Sequence, residues 1–264
     1  LFIVLFILVI SWAEGASRYL YLAFLASEVV LLPLQVLLIR TELLGLQTRP
    51  ELQWVKRHAR FGSKALLSGI FVELNTKVDG LMLGIFLSDR EVGLYSFAAM
   101  LAEGFYQLLV VVRNNINPLL VRIIASGNYQ KLANLILFVL KAIYPTFLVV
   151  GIFVLWAFLP LIEFMPALSE FEASFTVLVI LVCGYWIISG FIPFEQILNQ
   201  AGFPWAQSVI GAISFVLNIM LNATLIPTFG AVGAAYATAG TYVIAFFLIG
   251  VTFRSYRKTL FEYK

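Results

Sequence analysis

Long apolar runs, separated by short polar breaks, dominate the chain. They occupy residues 19 to 39, 62 to 87, 93 to 113, 135 to 160, 173 to 197, 205 to 226 and 231 to 253, with a shorter run at 1 to 13. A membrane-crossing helix needs about 20 mostly apolar residues, a length the seven longer runs reach. The pattern predicts an all-α integral membrane protein with about eight transmembrane helices. The run at 1 to 13 is too short to span. Starting at Leu1 rather than Met, it is expected to be the closing part of a helix that begins upstream. A signal-peptide reading of it fits poorly, because no basic region precedes it and Trp12, Ala13, Glu14 is a poor cleavage context.

Composition agrees with that class. Of 264 residues, 62% are hydrophobic and 12% charged, with mean hydropathy +0.98, which leaves a soluble fold too little polar material to cover its surface. The formal net charge is +3 and the pI near 9.0, but the cations gather in a few loops and at the C-terminus, so nucleic acid is not an expected partner. Cys183 sits inside an apolar run and His58 stands alone in a basic loop. Neither a disulfide framework nor a His/Cys metal site is available, and no metal or cofactor is expected.

The placement of charge gives an orientation. Arg40, Arg49, Lys56, Arg57 and Arg60 fall in one loop, Arg113, Arg122 and Lys131 in another, and Arg254, Arg257, Lys258 and Lys264 in the tail. With eight helices all three segments lie on one side, which the positive-inside rule makes the cytoplasm, together with the C-terminus. The intervening loops carry Glu14 and Arg18, then Asp89, Arg90 and Glu91, then Glu163, Glu170 and Glu172. In the segment 41 to 60, leucines and Trp54 alternate with basic groups, which predicts an amphipathic helix on the membrane surface. The stretch Asn114 to Asn134 reads as a similar connector, with Pro118 breaking the preceding helix and a polar turn at Ser126, Gly127, Asn128.

One segment is more specific. An apolar helix carrying Asn218 and Asn222 one turn apart runs to Pro227 and Gly230, and a second helix starts at once with small residues including Gly233 and Ala237. In a membrane this predicts a close-packed hairpin, since small side chains let backbones approach and amides bond across helices. The segment resembles the C-terminal signature of polysaccharide flippases of the O-antigen type, in the multidrug, oligosaccharidyl-lipid and polysaccharide exporter superfamily. Arg60, Phe61, Gly62, Ser63 resembles the entry to the first helix of that family's second lobe, and Asp79, Leu81, Leu83, Gly84 the pattern near the helix's far end. Val92, Gly93, Leu94, Tyr95 through Ala99 resembles the start of the next helix, and Leu198, Asn199, Gln200, Ala201, Gly202 the loop before the Asn-bearing one. The resemblance implies two six-helix lobes around a central cavity. On that plan residues 61 to 253 form a complete C-terminal lobe, 1 to 40 the last two helices of an incomplete N-terminal lobe, 41 to 60 a cytoplasmic linker and 254 to 264 a basic cytoplasmic tail. The remaining N-terminal helices become an expected partner.

Ionisable groups within the apolar runs are the candidate chemistry, because a charge at mid-bilayer costs about 2.5 to 3.5 kcal/mol and usually faces a bundle interior or a water-filled cavity. They are Glu28, Glu73, Lys77, Asp79, Glu103, Lys141 and Glu195. Glu73 and Lys77 are four apart in the favourable order, so a mutual ion pair and a substrate-facing role both fit them. Asp79 lies about 200° around the helix from Lys77 and must find another partner or stay protonated. Glu103 has no cation three or four residues away, Lys141 is isolated near a helix end where it can snorkel, and Glu195 reads as part of a solvated helix end.

The expected function is a transporter carrying a lipid-linked oligosaccharide or polysaccharide precursor across the cytoplasmic membrane by alternating access. It is not an enzyme, since no nucleophile and base, phosphate loop or acidic metal cluster stands in an aqueous loop. Lys77 and Lys141 are the candidates for the anionic headgroup; Asp79, Glu103 and Glu73 are those for a coupling H+ or Na+; Asn218, Asn222, Gly233 and Ala237 are the packing residues. The substrate comes from the resemblance. A drug or cation exporter of the same superfamily, or a membrane glycosyltransferase or polymerase, remains the alternative.

Overall fold

The computed structural model describes residues 25, 29–38, 40 and 52–261. The chain divides into two compact units, 1–56 and 57–264. In the first, the helical segment Val29–Leu38 falls within the expected span 19 to 39. The expected run 1 to 13, the linker residues 41 to 51 and Glu28 lie outside the described residues.

Six helices follow: α1 Leu52–Phe86, α2 Asp89–Ala125, α3 Tyr129–Phe164, α4 Phe175–Ile188, α5 Pro204–Phe229 and α6 Ala231–Phe261. A 3-10 segment, Pro166–Ser174, leads into α4. By length and composition, five stretches suit a membrane crossing: α2, α3, Leu168–Ile188, α5 and Ala231–Tyr256. They fall on five of the expected spans. α1 is long enough, but Glu73, Lys77 and Asp79 interrupt its apolar stretch. The outer surface is apolar; on α3, Val149, Ile152, Phe153 and Trp156 are all exposed, a face that water would not tolerate and hydrocarbon does.

Local sequence sets the helix ends. α2 begins at a capping box, in which the Ser88 N–H and hydroxyl donate to the Glu91 carboxylate at 3.1 and 2.8 Å. Asp89 and Glu91 place negative charge on its first turn, complementing the helix dipole. α2 then corrects an expectation, because Pro118 lies inside it and does not break it. Ile116, Leu120 and Ile123 close on Leu132, Leu135 and Val139 of α3 in a separate apolar cluster that holds the chain on both sides of the proline. An interior proline costs about 3 kcal/mol and each buried side chain of this kind returns roughly 1.5 to 3 kcal/mol, so the cluster wins. Residues 114 to 134 therefore form a helical hairpin, turning at Ser126 and Gly127, with Asn128 Oδ1 accepting from Lys131 N–H at 2.9 Å. Residues 52 to 60, expected in a separate surface helix, are continuous with the rest of α1.

α3 contains a π turn, Val139–Ile143, just before Pro145, whose missing N–H frees a carbonyl in the preceding turn. The helix expected to reach residue 197 stops at Ile188. It gives way to Gly190, a 3-10 turn Ile192–Phe194 containing Pro193, and one helical turn Ile197–Gln200. Phe203 of this connection stacks on Tyr256 of α6 at 4.1 Å.

α6 packs most extensively on α5 and next on α4. The α5–α6 turn needs glycine twice: Gly230 has φ +59°, and a Cβ on Gly233 would lie 2.2 Å from the Leu225 carbonyl oxygen. At the α4–α6 contact, a Cβ on Gly184 would lie 2.7 Å from that of Ala239. These approaches are the small-residue contacts by which membrane helices associate without a hydrophobic drive between them.

Candidate functional site

The second unit contains an open cavity of about 620 Å³, walled by α1, α2, α4, α5 and α6 and by Glu195. Helix periodicity brings residues to it from both halves of the unit. On α1 it exposes Asn75 and Asp79, four apart, and the neighbouring Glu73 and Lys77; on α2 it exposes Tyr95, Glu103, Tyr106 and Arg113.

Asp79 is 8% exposed and lies at one end. Four helices converge on its carboxylate. Tyr95 Oη of α2 donates to Oδ2 at 2.9 Å, the Thr238 hydroxyl of α6 donates to the same oxygen, and Asn222 Nδ2 of α5 donates to Oδ1 at 2.9 Å. Asn222 Nδ2 also reaches Asn218 Oδ1 at 2.6 Å, and both asparagines are fully buried. The donors are all neutral. Asp79 forms no ion pair among the described residues, and Asn222 Oδ1 and Asn218 Nδ2 have no partner there.

The other end is built differently. Arg113 of α2 is hydrogen-bonded and ion-paired with Glu195, with 17% and 12% of their side chains exposed. Arg113 Nε is buried without a partner. Along α2, Tyr95 and Arg113 are 18 residues apart, about 27 Å at 1.5 Å per residue. Between them lie Glu103, which is exposed on the cavity wall, and three tyrosines, Tyr106, Tyr185 and Tyr242.

Of the ionisable residues singled out in the sequence, Glu73, Lys77, Asp79, Glu103 and Glu195 line this cavity. Glu73 and Lys77 pair at 4.0 Å with both side chains more than two-thirds exposed, a contact worth at most about 1 kcal/mol. Lys141 is not on the wall; it is exposed in the π turn of α3. Asn218 and Asn222 stand behind Asp79, and Gly233 and the fully buried Ala237 lie on α6 near its contact with α5. Sequence reasoning missed Tyr95, Thr238 and the Arg113–Glu195 pair. Arg113 was placed among loop cations and Glu195 in a solvated end, and a pair 82 residues apart leaves no local spacing to find it by.

Residues 1–123 match the family described as "Polysaccharide biosynthesis protein". Over 262 residues the chain is 26% identical to "Probable low-salt glycan biosynthesis flippase Agl15" of Haloferax volcanii, covering 97% of this chain and 53% of that protein. A MOP superfamily transporter from Pyrococcus furiosus, described for the reverse polarity of its binding pocket, shares the fold with a TM-score of 0.57 and 21% identity, over 76% of this chain and 45% of that one. A multidrug resistance MATE family transporter in an outward-facing conformation shares it with a TM-score of 0.58 and 22% identity, over 74% and 44%. The chain spans about half the length of these proteins. These relatives are transporters and flippases rather than enzymes. The chain is accordingly a multi-pass membrane protein, similar over residues 1–123 to the polysaccharide biosynthesis family and over most of its length to a probable flippase, with a fold shared by MOP superfamily transporters.

Proposed function

We propose that this chain supplies the C-terminal lobe of a flippase that moves a lipid-linked oligosaccharide across the cytoplasmic membrane, coupled to H+ or Na+. The observation that carries the reading is the buried Asp79 carboxylate, held by neutral donors from three other helices on the wall of a cavity inside an apolar bundle. An uncompensated carboxylate at that depth is costly unless a proton or cation joins it, so its occupancy favours one arrangement of the surrounding helices over another. A diphosphate headgroup cannot enter hydrocarbon unaided, and a polar cavity carries it while the lipid tail stays in the bilayer. Lys77 on the wall is assigned to the headgroup. Lys141, off the wall, is assigned a lesser part, attracting the anion at the surface, and Glu103 a share in proton movement along the cavity.

The test is flipping of a fluorescent polyprenyl-diphosphate sugar in proteoliposomes under imposed H+ or Na+ gradients. Wild-type flipping should respond to one gradient, Asp79→Asn should remove that response, and Lys77→Ala should weaken transport more than Lys141→Ala. An Asp79→Asn variant that keeps its full gradient dependence refutes the coupling role. Export of a lipophilic cation with no flipping of the lipid would move the assignment to a drug exporter.

A further inference from the structure

Tyr106, Tyr185 and Tyr242 come from α2, α4 and α6 and meet on the cavity wall, with ring centroids 5.0, 5.7 and 6.1 Å apart. All three are only partly buried. Three hydroxylated rings from three helices thus cluster on the cavity wall. On the same wall, four side-chain polar atoms are buried and lack any partner: Thr241 Oγ1, Gln207 Oε1, Arg113 Nε and Asn75 Oδ1. Thr241 is 1% exposed and Gln207 6%, so surface water does not satisfy them. A buried polar atom left unpaired costs free energy, and one place where such atoms persist is a site that a ligand completes.

The chemistry of this patch is specific. Arg113 is already neutralised by Glu195, so it offers no free positive charge to a phosphate, and the remaining ionisable group on this part of the wall, Glu103, is a carboxylate that repels one and can accept from a hydroxyl. The patch offers a donor in Arg113 Nε, an acceptor in Gln207 Oε1 and both in the Thr241 hydroxyl, next to aromatic faces. A pyranose has the matching form, with a rim of hydroxyls that both donate and accept and a face of C–H groups that rests on the electron-rich face of a ring. The geometry points to a sugar subsite at Tyr106, Tyr185 and Tyr242, completed by Thr241, Gln207 and Arg113, which receives a sugar of the translocated lipid while its diphosphate lies elsewhere in the cavity. The subsite rests on the proposed reading of the cavity as the carrier site for a lipid-linked glycan.

Calorimetry on the purified full-length protein with two probes tests it: farnesyl diphosphate, and farnesyl diphosphate bearing one N-acetylglucosamine. The wild type should bind the sugar-bearing probe about tenfold more tightly, the size of one stacking contact with a hydrogen bond. Tyr242→Leu and Tyr185→Leu should reduce that ratio to about one while leaving the sugar-free probe within about twofold, and Tyr242→Phe, which keeps the ring, should retain most of it. Where a Leu variant yields no folded protein, Thr241→Val and Gln207→Leu serve instead, each lowering the ratio by about two- to threefold. A wild-type ratio near one with both probes bound overturns the subsite and leaves the lipid-diphosphate reading standing. Leu variants that keep the ratio, or that weaken both probes equally, overturn it too. Failure of the wild type to bind either probe removes the carrier reading and the subsite with it.

Discussion

The two ends of the cavity each hold a carboxylate withdrawn from solvent, Asp79 buried and Glu195 partly so, and they solve the cost of it in opposite ways. Glu195 has a guanidinium as its partner, whereas Asp79 has a phenol, an alcohol and an amide. In the ion pair the two charges balance within the protein, and removing either partner strands the other. Neutral donors hold an ionised carboxylate without cancelling its charge, so the net charge at Asp79 is free to change with what occupies the cavity. In the proposed transport cycle one end is a fixture and the other the responsive element. The fixture also ties α2 to the irregular stretch between α4 and α5, where no continuous helix provides rigidity.

The largest effect should separate the ends by stability. Arg113→Ala or Glu195→Ala leaves one buried charge alone, with an expected loss of about 3 to 5 kcal/mol in detergent unfolding, and the double change Arg113→Leu with Glu195→Leu should regain most of it. Equal losses in single and double variants would mean that the pair is not the source. Next, Asn222→Ala removes the amide shared between Asp79 and Asn218 and should cost about 1 to 2 kcal/mol, near the upper range for polar contacts between membrane helices. Tyr95→Phe deletes one of three donors and should cost about 0.6 kcal/mol in the same assay. The smallest change in stability belongs to Asp79→Asn, which preserves shape and is expected to unfold within about 0.5 kcal/mol of wild type while losing its transport response to the ion gradient. A loss as large as that of Arg113→Ala would make Asp79 a structural charge, and the contrast between the two ends would disappear.

Helix identity was legible because apolar runs of membrane length leave little choice of element, and all five stretches suited to crossing fall where such runs stand. Their ends were less legible. Pro118 and Pro193 look alike in sequence, yet the first lies inside α2 because an apolar cluster spans it, and the second sits in the break after α4. The burden on Asp79 was readable from its angle to Lys77, which denies it the nearest cation. Its partners were not, because Tyr95, Asn222 and Thr238 lie 16, 143 and 159 residues away and only packing brings them there.

The π turn in α3 carries a consequence for phase. Before it, Leu132, Leu135 and Val139 are buried; after it, Phe147, Gly151, Phe158 and Ile162 are. A stripe stepped forward from Val139 at 3.6 residues per turn reaches about 146, 150, 157 and 161. The observed positions each come about one residue later. The π turn thus acts as an insertion of a single residue written into the backbone, which turns the outer half of α3 by about 100° relative to a plain helix of the same sequence. Deleting one residue between Val139 and Ile143 would let a plain α-helix carry the same stripe and keep Phe147 and Phe158 on the core they now fill, whereas straightening the turn without a deletion would swing them off it by about 100°.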